Sequence, residues 1–229
     1  MQFECDCRSP QTMIGRILDG IEYFDPEVIP AVWRPGNGKL VVVVGDNAGG
    51  KSVFRRIVAQ VCRGNGVECM DPSMQGRADG HNALRSMVYG SEVDQSTGEN
   101  SAHTVIAGVH TCRGRDRDHV IFWDEPDLGL GDSWSAGMGQ YIREFSETAP
   151  DFTRGIFLVT HSRPLLRELL PVEPTYVHLG RVDAPASLQE WLDQPVVPLD
   201  ITKLKEISNE RWRKISAIKR KRMNDANHK

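Results

Sequence analysis

Apolar positions along this chain follow two alternating patterns. Unbroken runs, "KLVVVV" (39–44), "VIFW" (120–123) and "GIFLVT" (155–160), lack the polar residue at every second place that a half-solvated strand would carry, so they predict central strands buried on both faces. Between them the spacing turns helical. Val53, Phe54, Ile57, Val58 and Val61 share one face of a 3.6-residue period, and Ala102, Val105, Ile106 and Val109 share another. "DSWSAGMGQYIREFSE" (132–147) predicts a third helix, weakened by its two glycines. "GVECM" (66–70) and "TYVHL" (175–179) predict shorter strands near the sheet margins. Strands alternating with helices in this order predict an α/β fold with a largely parallel sheet flanked by helices.

Near the C-terminus the pattern changes. Leu204, Ile207, Trp212, Ile215 and Ile218 recur at helical spacing beneath a charged face, predicting an amphipathic helix from 201 to about 223 whose apolar side packs on the body. The proline-broken stretch 181–200, around "SLQEWLDQ", reads as a connector. The organisation expected is one domain over residues 1–200 and a basic amphipathic helix over 201–229, with no internal repeat or low-complexity tract.

Charge sharpens that division. The formal net charge is only −3, yet residues 203–229 hold ten Lys/Arg against three Asp/Glu. The tail is basic and the body acidic. "RWRKISAIKRKR" places Arg211, Arg213, Lys214, Lys219, Arg220, Lys221 and Arg222 along one helix with Trp212, an arrangement able to lie on a nucleic-acid backbone. A solvated helix packed by its isoleucines accounts for the same residues, and a membrane-surface helix is a third reading.

At 229 residues and 25.6 kDa the chain can bury one proper core. No apolar run reaches the roughly 20 residues needed to span a bilayer, and the start "MQFECDCRSPQ" has no secretory apolar region; a cytoplasmic protein is expected. Cys5, Cys7, Cys62, Cys69 and Cys112 are odd in number and have no framework spacing, so free thiols are expected rather than disulfides, and no second close pair completes a zinc site with Cys5 and Cys7.

Chemistry concentrates at the ends of the apolar runs. "GDNAGGKS", residues 45–52, matches GxxxxGK(S/T) between a buried strand and an amphipathic helix. In that context Gly45, Asp46, Asn47, Ala48, Gly49 and Gly50 form a loop whose backbone N–H groups converge on phosphate oxygens, helped by the positive end of the helix that continues into Val53. Lys51 supplies a point charge for β- and γ-phosphates and Ser52 a hydroxyl for Mg²⁺. "HVIFWDEPD" puts Asp124 at the end of a strand, where a carboxylate can hold Mg²⁺, with Glu125 beside it to polarise an attacking water. His161 ends the next apolar run, in "FLVTHS", placed to hydrogen-bond a γ-phosphate. In "DQSTGEN", Ser96, Thr97, Gly98 and Glu99 form a small-residue loop opening a helix, either a second anion cradle or a capping turn with Ser96 or Thr97 as N-cap.

Taken together and in this order, "GDNAGGKS", "QSTGE", "IFWDEPD" and "LVTHS" resemble the motifs of the ATP-binding cassette ATPases, P-loop proteins, over about residues 40–162. The resemblance implies ATP and Mg²⁺ as ligands. Lys51 and Ser52 would bind phosphate and metal, Asp124 would be the Mg²⁺-site acid, Glu125 the general base and His161 the γ-phosphate switch. Ser96, Thr97, Gly98 and Glu99 would act in trans on the nucleotide of a second copy, making a head-to-tail homodimer with two ATP sandwiched. Gln75, in "DPSMQGR", is the best candidate for the glutamine that reports on Mg²⁺ and the attacking water. The chain departs from the family where "QSTGE" has Thr97 in place of a glycine and lacks the leading leucine. Asp127 and Asp132 compete for the acid after the Asp-Glu pair. The adenine-stacking aromatic is open among Tyr23, Phe24 and Trp33.

Only 44 residues separate Lys51 from Gln95, about half of what a transporter ATPase carries there, and no room exists for a long coiled coil. The function expected is therefore that of a compact Mg²⁺-dependent ATPase that dimerises on ATP and acts on nucleic acid or a separate protein effector, like small cassette proteins of DNA metabolism and defence. The alternative is a weakly hydrolysing dimer switch serving as scaffold for an effector, and a transporter's nucleotide-binding subunit ranks behind both.

Overall fold

The computed structural model describes residues 9–72 and 96–227; Gln75, Gln95, Cys5 and Cys7 lie outside them. In chain order the elements are α1 (Pro10–Gly20), β1 (Ala31–Arg34), β2 (Leu40–Val44), α2 (Lys51–Gly64), β3 (Glu68–Met70), α3 (Thr97–Arg113), β4 (His119–Asp124), α4 (Asp132–Thr148), β5 (Thr153–Val159), α5 (Arg163–Arg167), β6 (Thr175–Leu179), α6 (Leu188–Asp193) and α7 (Leu204–Asn227). Six strands form one sheet in the order β1-β6-β2-β5-β4-β3. All neighbours are parallel except β1, which runs antiparallel to β6.

The unbroken apolar runs follow from the layers. Val41 and Val43 of β2 belong to a core with Phe122, Phe157 and Val177, closed by Met13, Ile14 and Ile17 of α1 and Phe54 and Val58 of α2. Leu40, Val42 and Val44 point the other way, into a second core with Trp123, Leu158 and Tyr176 beneath α3 and α4. Both faces of β2 are covered, which accounts for its unbroken apolar run. Phe122 stacks on Phe157 with the ring planes 7° apart.

Four expectations need correction. Residues 175–179 do not lie at the margin: β6 pairs with both β1 and β2 and all five residues are buried. Residues 181–200 contain α6, capped by the Ser187 side chain accepting from the Glu190 amide and anchored by buried Leu188 and Leu192. Ile106 is on the outer side of α3, which buries Ser101, Thr104, Val105, Gly108, Val109 and Cys112; small residues serve there because a Cβ on Gly108 would come within 2.9 Å of Ile121 Cδ1. The apolar face of α7 is not committed to the body, since Ile215 is its one fully buried hydrophobic residue among those described, while Ile207 and Trp212 are 47% and 52% exposed.

The helix with two glycines forms nonetheless. Gly139 of α4 allows a close approach to α5, where a Cβ would fall 2.4 Å from the Leu165 carbonyl oxygen. Cys62 and Cys112 are buried free thiols and Cys69 a half-buried one; burial pushes the Cys112 thiol up to about 12. No described helix is long and apolar enough to cross a membrane.

Candidate nucleotide site

Three strand ends carry the chemistry, and they lie side by side because β2, β5 and β4 are adjacent and parallel. The loop after β2 turns through Gly45 at φ +138° and Ala48 at φ +61°, with the Gly49 amide donating to Asp46 O at 2.9 Å. It packs against the end of β6 so closely that a Cβ on Gly45 would sit 2.2 Å from Leu179 O. Gly50 caps α2 in the left-handed conformation at φ +103°, and a Cβ there would meet Ile29 Cγ2 at 2.7 Å. Lys51 and Ser52 then open α2, where amides have no carbonyl one turn back to bond.

Lys51 is fully engaged. Its Nζ donates to Gly45 O at 2.7 Å, to Asp46 O at 3.1 Å and to His161 Nε2 at 2.8 Å, one acceptor for each ammonium hydrogen. Burial lowers its pKa, opposed by the carboxylates of Glu125, Asp124 and Asp46. His161 is also held below its ordinary pKa, by burial first and by the Lys51 charge second, so at neutral pH Nε2 accepts from Lys51 in the Nδ1–H tautomer. Glu125 Oε1 stands 3.8 Å from the same Nε2, beyond hydrogen-bond range and opposite a neutral ring.

Asp124 ends β4 at 9% exposure. Its pKa is raised by burial, offset chiefly by Arg55 and raised further by Glu125 and Asp71. Arg55, half-buried on α2, also bonds Asp71 just beyond β3; no motif in the sequence singles it out. Glu125 has left-handed backbone at φ +52° and its amide donates to Val159 O at 2.8 Å. Both carboxylates reach the cleft, Asp124 nearly buried at the strand end and Glu125 beyond it on the strained turn with its side chain 44% exposed.

That cleft, about 400 Å³, is lined by residues 47–53, Arg56, Asp124 and Glu125 on one side and by Ser208, Asn209, Arg211, Trp212 and Ile215 of α7 on the other. Arg211 fastens the helix there, bonding Ala48 O through Nη1 and Gly180 O through Nη2 at 3.2 Å. Arg211 is thus spent on the loop, not displayed with the other basic residues. Lys214 pairs with Glu210 at 3.3 Å, while Arg213, Arg220 and Lys221 face solvent. Composition could flag this helix as basic. It could not flag it as a wall of the cleft.

The other predicted residues lie elsewhere. Ser96 is the N-cap of α3 in a capping box: its hydroxyl accepts from the Glu99 amide at 3.3 Å and its own amide donates to Glu99 Oε2 at 2.7 Å. Thr97 and Gly98 open α3 against the loop after β4, where a Cβ on Gly98 would lie 2.8 Å from Gly129 O. None of these four residues lines the cleft of its own chain. Asp127 accepts from Thr160 Oγ1 at 2.5 Å, while Asp132 is exposed in the first turn of α4. Phe24 is buried against Phe54, Trp33 packs over Gly15, and Tyr23 lies on the first core; none of the three lines the cleft.

The residues suit a nucleotide with a divalent metal. Residues 47–53 of the loop and helix start line the cleft, and the exposed Ser52 with the Asp124 carboxyl offers the oxygen donors a hard cation takes. Comparisons with family models, with curated proteins and with solved structures gave no match to this chain. The fold is a six-stranded, mostly parallel α/β sheet whose strand ends bring a glycine loop, a lysine and two acids to one cleft, with His161 bonded to that lysine but not itself lining the cleft.

Proposed function

We propose that the chain is a Mg²⁺-dependent ATPase of the ATP-binding cassette kind, which closes as an ATP-bound homodimer and opens on hydrolysis. The observation that carries the reading is the line from Lys51 Nζ to His161 Nε2, 2.8 Å, and on to Glu125 Oε1, 3.8 Å. Residues from three separate sequence motifs meet over the glycine loop, which a chance glycine-rich turn gives no reason to expect.

In this reading the three hydrogen bonds of Lys51 are exchanged for β- and γ-phosphate oxygens, so the loop carbonyls and His161 are released together. His161, neutral at pH 7, then takes the tautomer with its hydrogen on Nε2, donates to a γ-phosphate oxygen and reports its presence. Glu125 takes a proton from the attacking water; with the acid on a left-handed turn beyond the strand, its carboxylate stays 44% exposed and within reach of solvent. Ser52 and Asp124 would hold Mg²⁺, which supplies charge neutralisation to the phosphates. Ser96 to Glu99, none of which lines the chain's own cleft, would meet the nucleotide of a second copy. The motion would act on nucleic acid or a separate protein effector, the exposed basic residues of α7 offering a phosphate-binding surface.

The test is phosphate release from MgATP by the wild-type chain and by Lys51→Ala. Turnover lost in the variant supports the reading. Turnover at the same rate in both, or ATP failing to bind the wild type, would overturn it.

A further inference from the structure

A cleft built only from the glycine loop and the acids would grip phosphates and leave the base in solvent. Among the described residues, each aromatic that precedes the loop packs on the first core: Phe24 sits edge-on to Phe54 with ring centroids 6.0 Å apart, Trp33 packs over Gly15, and Tyr23 packs on the same cluster. Yet the cleft does have an aromatic wall, and it comes from the far end of the sequence. Trp212 lines it from α7 and remains 52% exposed, an exposure that leaves much of its large apolar surface in water. Lys219, 5.2 Å from the centroid of the Trp212 ring, covers part of one face and restrains the indole. Asn209 and Ser208, from the preceding turn, line the same wall, and an asparagine amide offers both a donor and an acceptor to the edge of a base.

The helix is fixed at the loop by a contact that does not involve the indole. Arg211 bonds the carbonyls of Ala48 and Gly180, and Gly180 lies so close to the loop that a Cβ on it would fall 2.8 Å from Gly49 Cα. Ile215 seals the helix into the first core one turn later. Anchored at both of these residues, α7 holds Trp212 beside the phosphate loop without needing Trp212 for its own docking.

Resting on the ATPase reading above, we infer that Trp212 is the base-stacking residue of this site, and that α7 forms the nucleobase wall for a purine nucleoside triphosphate. The helix that carries the basic surface is then also the helix that senses whether a nucleotide is bound.

Calorimetric titration of ATP and of inorganic triphosphate into wild type, Trp212→Phe and Trp212→Ala separates the possibilities. Base–aromatic stacking predicts that Trp212→Ala weakens ATP binding by roughly 5- to 150-fold, that Trp212→Phe retains most of the affinity, and that triphosphate binds all three proteins within about twofold. ATP affinity unchanged or increased in Trp212→Ala overturns the inference while leaving the ATPase reading intact. Equal losses for ATP and triphosphate overturn it as well, since they would mean that Trp212 serves the docking of α7 rather than the base. If wild type binds neither ligand, the ATPase reading fails and the inference falls with it.

Discussion

Glu125 should be a residue the fold would do better without. Its backbone lies in the left-handed region at φ +52°, where a side chain with a Cβ costs about 1–2 kcal/mol relative to ordinary backbone. Glycine escapes that cost but loses about 0.5–1 kcal/mol through the greater freedom of its unfolded chain. Glu125→Gly is therefore expected to be more stable than Glu125→Ala by about 0.5–1 kcal/mol, the reverse of the order at an ordinary helical position. Glu125→Gln keeps the strain and trades relief of repulsion at Asp124 against the lost attraction to Lys51, so it should unfold within a few tenths of a kcal/mol of wild type. Equilibrium urea unfolding resolves these steps, and phosphate release measures the same proteins. A general base predicts that all three variants lose about 10²- to 10⁴-fold in turnover. Alanine as stable as glycine would refute the strained turn; unchanged turnover would refute the role.

Other positions give sharper yes-or-no outcomes. Gly45→Ala would drive a Cβ to 2.2 Å from the Leu179 carbonyl oxygen at φ +138° and is expected to cost more than about 2 kcal/mol; a melting temperature within a degree of wild type would contradict the loop geometry. Ser96→Ala should cost about 1 kcal/mol through the lost cap, while Ser96→Asp keeps the cap and sets a carboxylate where a partner's phosphate would arrive. If Ser96→Asp preserves both stability and turnover, the trans role is excluded and only the cap remains. His178 is buried and its pKa pushed down to about 4, by burial first and by Arg181 and Lys51 against the pull of Asp46. The unfolded chain takes up this proton near pH 6.5 and the native one only near pH 4, so stability is complete above about pH 6.5 and falls by about 3 kcal/mol on acidification to pH 4. Unfolding free energies measured from pH 7 to 4 should lose most of that slope in His178→Phe.

The parts of the fold legible in the sequence were those where one physical demand dominates. β2 could be read because its burial on both faces is met by apolar residues along its whole length, and α2 because Phe54, Ile57, Val58 and Val61 have a single buried face. β6 was misplaced because Thr175, Tyr176 and His178 look like residues of a half-wet strand. Here they are buried polar groups, and among the described residues Tyr176 Oη and His178 Nδ1 find no hydrogen-bond partner. α1 was overlooked although Pro10 opens it and Met13, Ile14, Ile17 and Leu18 keep helical spacing.

At the site, the loop, the acids and the histidine could be found because each ends an apolar run. Arg55, Arg211 and Trp212 could not. Their part depends on which helix lies across the cleft, and α7 reaches it through one arginine and one isoleucine rather than through the apolar stripe that periodicity detects.

The central claim is that this cleft binds ATP, hydrolyses it through Glu125 and uses it to join two copies of the chain. Size-exclusion chromatography with light scattering, run with MgATP on wild type and Glu125→Gln beside a phosphate-release assay, tests all three parts at once. The account predicts that wild type turns over ATP and elutes chiefly as monomer, whereas Glu125→Gln binds ATP without releasing phosphate and is trapped as a dimer. A Glu125→Gln protein that hydrolyses ATP at the wild-type rate, or stays monomeric with ATP bound, would contradict it.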